Sequence, residues 1–399
     1  MTYALPDYLG KHSHFDDCPP GHRFGLYFDG WQGDFSAPRD GKTALFRPIV
    51  NSLPTHSRSA LKAIRVRQQA LASDLGDIIL IHPARLSAPL ATGLGNEHPL
   101  ENGFAFLNPH GLPYLAGSGV KGVIRRAAEE LETGEWGGKA GWNADAIRIL
   151  FGPGEEDPER DTHARRGALM FWDLFFQPAS DKDPLLAMEI MTPHHRDYLQ
   201  GTGSPHANEQ PNPIPFLAVR PGCECTLYVQ CNPALIPPEA AALRTDWHAL
   251  VGAAIEHAGQ WLGFGAKTAA GYGRLGQDAA LRKKLADEAA ERAAQAEREA
   301  ALANLSAEGK AIAEFVEACE SRSQSGRKDP CNPGSGLYAE ANRLSKAALA
   351  DDSGWSAEDR ARLADVLTEW LPKVVDKLDR KDEWKSAAKR LGLNRLRGF

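Results

Sequence analysis

DIILIHPARLSAPLATGLGNEHPLENGFAFLNPHGLPYLAGSGVKGVIRRAAEEL, residues 77–131, carries the decisive pattern of the chain. It opens as a β-rich run ending at Pro89, breaks into a glycine-rich loop, and closes on an amphipathic helix. Ser118 is placed to cap that helix, and Val120, Ile124, Ala127, Ala128 and Leu131 fall on one apolar face. Downstream, GALMFWDLFFQ (167–177) and LLAMEIMTP (185–193) read as short strands. FLAVRPGCECTLYVQC (216–231) reads as two strands around a Pro221-Gly222 turn. WHALVGAAIEHAGQWLG (247–263) is an apolar helix, and FGAKTAAGYGRLG (264–276) is a second glycine-rich loop. Allowing for insertions and a blurred last strand, the order is the β-α-β-β-α-β of a ferredoxin-like sheet, so the class is α+β.

The rest of the chain is arranged around this core. Residues 1–75 read as an irregular arm rich in Gly, Pro, His and aromatics, with a strand around Phe24 to Phe28. The arm ends in a helix with Leu61, Ile64 and Leu71 at helical spacing. The core domain is expected over 76–276, a solvated connecting helix rich in Ala, Glu and Arg over 277–305, and an all-α extension over 306–399. Residues 134–166, rich in Gly, Pro and acids around DAIRILFG, look like an exposed insertion. Residues 194–215 contain too much Gly, Pro and Asn to be regular and should form a long loop or hairpin.

Composition excludes several classes of protein. With 399 residues, 42% of them apolar and 25% charged, the chain is neither disordered nor collagenous, and it can bury a core without staples. No apolar run reaches membrane length, and the N-terminal segment lacks the basic start and apolar stretch of a secretory signal. Its 6 cysteines, without C-x-x-C spacing, suit a reducing cytoplasm rather than a disulfide scaffold. The net charge of −6 is unevenly spread. Residues 1–126 carry +3, 127–212 carry −9, 213–276 are neutral, 277–372 carry −5 and 373–399 carry +5. A partner meets these local fields rather than the total.

The most informative constellation is GFGAKTAAGYGR, 263–274. Glycines such as Gly265, Gly271 and Gly273 let backbone amides approach an anion, Lys267, Thr268 and Arg274 add donors and charge, and Tyr272 can stack on a base. The bland alternative is a tight turn packed on a sheet. SGVKG (118–122) offers a positive helix end with Lys121, Arg125 and Arg126, and the loop before it offers Gly93, Gly95 and Asn96. It lacks the G-x-x-x-x-G-K-[ST] of a P-loop, so nucleotide hydrolysis is not indicated. Glu97, His98 and Glu101, then His194, His195, Arg196 and His206, and His12, His14, Asp16 and Asp17, supply acid/base or ligand types in loops. No spacing among them fixes a catalytic geometry, and H-E-x-x-H is absent. Loop histidines that bind or are merely solvated are the expected reading. Cys223 and Cys225 lack the companions that a zinc site needs.

TGLGNEHPLENGFAFLNPHGLPYLAGSGVKGVIRRAAEEL (92–131), PNPIPFLAV (211–219) and GFGAKTAAGYGRL (263–275) together resemble the RAMP proteins of type III CRISPR systems. More narrowly, they are similar to the family of sixth subunits of the type III-B, or Cmr, effector. The resemblance covers roughly 76–276 and implies a ferredoxin-like core related to the RNA-recognition fold. That core would bind CRISPR RNA in a multisubunit RNA-guided, RNA-targeting complex of antiviral defence. It further implies a cytoplasmic, non-catalytic subunit near the 3′ side of the guide, beside other RAMP subunits, without cofactor or metal. Expected RNA contacts are Gly93, Gly95, Asn96, Ser118, Lys121, Arg125, Arg126, His194, His195, Arg196, Gly265, Lys267, Thr268, Gly271, Tyr272, Gly273 and Arg274. The C-terminal helices would dock protein. Two alternatives stay open: an endoribonuclease that processes or cuts RNA with Glu97, His98 or Glu101, and a chain that is chiefly an adaptor.

Overall fold

A computed structural model describes the chain apart from residues 1–3, 6–14, 16, 39, 136–139, 155–164, 193–197, 199–200, 203–212, 304, 333, 335, 351–353 and 399. The side chains of 289, 292, 293, 296, 299 and 301–303 also lie outside the description. The chain divides into two compact units, Met1–Ala286 and Asp287–Phe399.

The strands of the first unit are β1 (Ile79–Leu86), β2 (Phe106–Leu107), β3 (Leu112–Leu115), β4 (Leu169–Phe171), β5 (Leu174–Gln177), β6 (Leu186–Met191), β7 (Ile214–Val219), β8 (Glu224–Cys231) and β9 (Leu275–Gln277). Its helices are α1 (Pro20–Phe24), α2 (Lys42–Phe46), α3 (Thr55–Leu75), α4 (Gly117–Thr133), α5 (Ala144–Phe151) and α6 (Leu243–His257). Helix α7 (Ala279–Ala303) begins in this unit.

The main sheet runs β2-β3-β5-β8-β1-β9, with β4 also on β8. Strand β1 is central, antiparallel to β8 on one side (Ile79 opposite Gln230, Arg85 opposite Glu224) and to β9 on the other (Leu86 opposite Leu275). Helices α4 and α6 pack on each other and on one face of the sheet, and the alternation of the strands supplies that face. Leu80, Ala84 and Leu86 of β1 and Cys225, Leu227 and Val229 of β8 join the core with Val120, Ile124 and Leu131 of α4. On the opposite face, Ile79 and Tyr228 are covered by Ala72 and Leu75 of α3. Farther along that face, Arg85 bridges Asp278 at 2.8 Å and Glu224 at 2.9 Å.

Several local expectations change. Residues 20–24 form a short helix, not a strand, with Pro20 at its start, and Phe24 and Phe28 are both buried. In α3 the buried stripe runs through Ser57, Leu61 and Ala72, which leaves Leu71 at 49% exposure. A step from Leu61 to Ala72 completes three helical turns, whereas Leu71 falls about 80° short of that. The insertion expected to be exposed contributes to the core. Asn143 caps α5 by accepting from the Ala146 amide, Ala146, Leu150 and Phe151 are buried, and Trp142 donates its indole N–H to the Leu250 carbonyl at 3.1 Å. Strands β7 and β8 flank the Pro221-Gly222 turn but part company there: β7 pairs antiparallel with β6 in a separate ribbon.

The second unit packs α8 (Ala307–Gln324), α9 (Gly336–Ala348), α10 (Ala357–Val374), α11 (Lys381–Arg390) and α12 (Leu393–Leu396) around a core of its own. Phe315, Tyr338, Leu363, Leu367 and Leu391 belong to that core. Asp329 latches it, accepting from the Leu337 amide at 2.9 Å and from Arg322 at 2.7 Å, with a parallel bridge to Val375. Among the described residues, no helix is long and apolar enough to cross a membrane.

Candidate nucleic-acid interface

The loop between α6 and β9 is built by the chain's need to reverse beside the end of β1. A π-helical turn, Ala258–Leu262, leads into it, and Gly263, Gly265, Gly271 and Gly273 all take positive φ. Three of these glycines are sterically required, Gly263 because a Cβ there would overlap the Tyr272 carbonyl oxygen. A Cβ on Gly273 would overlap the Phe264 backbone, and one on Gly265 would overlap the Ala91 carbonyl oxygen. Phe264 N–H donates to the Gly273 carbonyl at 2.9 Å, Ala266 to Ala91 at 2.7 Å and Gly273 to Pro89 at 2.7 Å. Ala91 and Ala266 form an antiparallel bridge, and Leu90 forms another with Val219 of β7. The loop that follows β1 and the loop that precedes β9 therefore lie side by side.

This arrangement revises the reading of the glycines. The Ala266 and Gly273 amides hold the loop to Ala91 and Pro89, while those of Gly263, Phe264 and Gly271 donate to Ala258, Gly273 and Thr268, so presentation to an anion falls largely to side chains. Arg274 is exposed, and Lys267 and Thr268 are half-buried. Lys267 itself takes φ 59, and its ammonium stands 5.4 Å from the centroid of Phe216 on β7. Tyr272 is tied to the same ribbon. Its hydroxyl donates to Glu189 of β6 at 3.0 Å, and its ring lies tilted against Phe216 with centroids 5.8 Å apart. Burial and the Glu189 carboxylate push the Tyr272 hydroxyl up to about 12.

Gly93 and Asn96 close a turn in which the Asn96 amide donates to the Gly93 carbonyl at 3.1 Å; Gly95 and Asn96 are exposed. His98 is not a solvated loop histidine. Its ring stacks on Phe24 at 3.7 Å, Nδ1 accepts from the Leu100 amide at 3.1 Å, and Nε2 donates to the Phe24 carbonyl at 2.8 Å. Both nitrogens are thus used by the neutral ring, and burial holds its pKa below the ordinary imidazole value against the Phe24 hydrogen bond. Glu101 pairs with Lys42, so these two acid/base candidates serve to bind the arm to the core.

At the start of α4 the N-cap residue is Ala116, with no side-chain cap, and Ser118 is exposed inside the first turn. Asp173, which follows β4, accepts the Gly117 amide at 2.8 Å and takes the capping role expected of Ser118. A Cβ on Gly117 would overlap the Phe171 carbonyl oxygen, so this close approach fixes the start of the helix. Arg125 donates to Glu129 and to the carbonyls of Gly152 and Pro153, and Arg126 pairs with Glu129 and Glu130. Glu130 also meets His257 of α6 at 2.9 Å. Burial, then repulsion from Arg125 and Arg166, holds the Lys121 pKa below the usual lysine value. Arg166, exposed and 45 residues away in sequence, was not singled out by sequence.

His194, His195, Arg196, His206, His12, His14 and Asp16 lie outside the described residues. Cys223 and Cys225 are buried, and burial pushes both thiols up to about 12. Among the described residues, no three His, Cys, Asp or Glu side chains gather where they could share a metal ion. Sequence reading also missed Phe216 and Glu189, which become relevant only when the β6–β7 ribbon meets the loop.

Residues 85–276 match the RAMP superfamily. They are a RAMP domain. The domain takes in the two adjoining loops, α4, α6 and the β6–β7 ribbon. The chain is 27% identical over 233 residues to the CRISPR system Cmr subunit Cmr6 of Pyrococcus furiosus, a match covering 47% of this chain and 64% of that relative. The match therefore spans just under two thirds of the relative's length. Among solved structures, the type III-B Cmr-beta complex bound to cognate target RNA aligns with 18% identity and a TM-score of 0.39, over 59% of this chain and 71% of that one. The crystal structure of Cmr6 from Pyrococcus furiosus aligns with 22% identity and a TM-score of 0.30, over 50% and 97%.

Proposed function

We propose that this chain is a non-catalytic, CRISPR RNA-binding RAMP subunit of a cytoplasmic type III-B effector. The observation that carries this reading is the pair of adjoining loops in the RAMP domain, which hold Lys267, Thr268 and Arg274 on a scaffold fixed by backbone hydrogen bonds. The order β5-β8-β1-β9, with α4 and α6 as crossovers on one face, supports a ferredoxin-like core. Gly93, Gly95 and Asn96 lie on the loop whose Ala91 meets Ala266, and Lys121 and Arg166 offer a further cationic pair. Guide pairing would read sequence, so the protein contacts phosphate and shape. The subunit would hold guide and guide–target duplex toward the 3′ side of the guide and dock neighbouring RAMP subunits. The engagement of His98 and Glu101 in packing supports a binding role over RNA cleavage.

Fluorescence anisotropy of labelled repeat RNA across a salt series tests this reading. Arg274→Ala and Lys267→Ala should each weaken binding evenly across RNA sequences and reduce the log–log salt slope by about 0.7 for single strands. Affinity and slope unchanged in both variants would remove the loop from the interface. Incubation of the same protein with labelled repeat and target RNAs, with and without Mg²⁺, tests the non-catalytic reading. Cleavage lost on His98→Ala or Glu101→Ala would reverse it.

A further inference from the structure

Helix α11 of the second unit places Lys381, Lys385 and Lys389 at successive i, i+4 steps, a row of ammonium groups that rises about 12 Å along the axis while turning about 80° around it. All three are exposed, and none has an ion-pair partner among the described residues. Elsewhere in the unit five cations are seen in ion pairs: Arg322 with Asp329, Lys328 with Asp379, Arg343 with Glu340, Lys373 with Glu369 and Arg397 with Asp365. Lys373 and Glu369 use the i, i+4 spacing for attraction, whereas α11 uses it twice for like-charge repulsion. The inner face of α11 is ordinary, with Ala387 buried and Trp384 packed against the core, so packing does not require the lysines. Exposed Lys377 and Arg380 extend the charge before the helix, and exposed Arg395 extends it beyond.

We infer that this face of the second unit binds an RNA backbone, as a contact separate from the loops of the RAMP domain. This rests on the RNA-binding reading above and adds the helical unit to it. Compact ammonium groups at regular steps suit a regularly charged polyanion, and the repulsion among them is relieved when phosphates replace their counterions. A protein partner fits less well. Interface hot spots draw on large apolar and aromatic anchors while lysine is depleted there. The large hydrophobic side chains exposed among the described residues all belong to the first unit, Leu26, Val66 and Trp261 among them. On this inference the face takes RNA, where the sequence reading expects these helices to dock protein.

The test uses the full chain and a fluorescent single-stranded RNA across a salt series. Lys381→Ala/Lys385→Ala/Lys389→Ala should reduce the magnitude of the salt slope by about 2, three phosphate contacts at about 0.7 each. Alanine is the best helix former, so the helix survives the change, and circular dichroism checks it. The control Lys310→Ala/Lys346→Ala, also exposed and in the same unit, should leave the slope unchanged. A triple variant with the wild-type slope, alongside an Arg274→Ala variant that binds less, overturns this inference and leaves the proposed function standing. RNA binding intact but capture of an acidic polypeptide lost in the triple variant assigns the face to protein and also overturns it. A wild-type chain that binds no RNA overturns both.

Discussion

Replacing His82 tests whether a buried, unpartnered imidazole sets the acid stability of the first unit. His82 lies on β1 at 5% exposure, and its Nε2 has no hydrogen-bond partner. Burial, then the nearby Arg282 charge, lowers its pKa from 6.5 to about 4. The folded state thus binds the proton more weakly than the unfolded chain, so stability is complete above pH 6.5 and falls as pH drops from there toward about 4. A shift of that size corresponds to about 3 kcal/mol across the window. His82→Leu removes both the titration and a polar nitrogen that costs about 1–3 kcal/mol to leave unsatisfied. Urea unfolding of the first unit should show the variant at least as stable as wild type near neutral pH. Its advantage should widen by up to about 3 kcal/mol as pH falls toward about 4. The widening matters because other groups, His98 among them, add to the acid limb of both proteins. Parallel stability curves for the two proteins would refute the argument. So would a loss of more than about 2 kcal/mol at neutral pH, which would reveal a partner for Nε2.

Tyr272→Phe removes the hydroxyl that donates to Glu189; with that carboxylate half-exposed and open to water, unfolding should cost about 1 kcal/mol less, read by chemical denaturation. Gly273→Ala forces a Cβ onto the Phe264 backbone at positive φ, so stability should fall by at least about 2 kcal/mol and RNA binding with it, measured by thermal melt and anisotropy. Asp173→Ala leaves the Gly117 amide without its acceptor; a loss of about 1 kcal/mol, with faster amide exchange confined to the first turn of α4, is the expected result.

What could be read from sequence was local or periodic. The apolar face of α4, Val120 through Leu131, is buried as its spacing requires, and the Pro221-Gly222 turn does separate two strands. What could not be read depends on contacts far apart along the chain. Asp173 accepts from Gly117 across 56 residues, and Tyr272 reaches Glu189 across 83. No window of sequence reports such pairs. The parting of β7 from β8 is equally invisible, since a turn between two strands does not say whether they pair with each other. The glycines of 263–274 were recognised as unusual, yet composition could not tell whether their freedom served an anion or the 89–91 backbone.

Under the proposed function, that distinction decides how the loop would recognise RNA. A nest of free amides would grip one phosphate at short range, and its affinity would survive the loss of any single cation. Here the Phe264, Ala266 and Gly273 amides are already committed to carbonyls at 2.7 to 2.9 Å, so the proposed recognition would rest on Lys267, Thr268 and Arg274. These side chains stand on a backbone that the glycines have fixed in advance, which lowers the ordering cost of binding. Side-chain cations on a fixed frame give affinity that is strongly salt-dependent and indifferent to base identity. The proposed role, in which a guide RNA would supply the sequence information, calls for that behaviour from the contact surface. Arg274→Lys therefore separates the two modes. A point charge suffices for an electrostatic contact and should keep the salt slope within about 0.3 of wild type, whereas a bidentate grip on phosphate would lose affinity despite the retained charge.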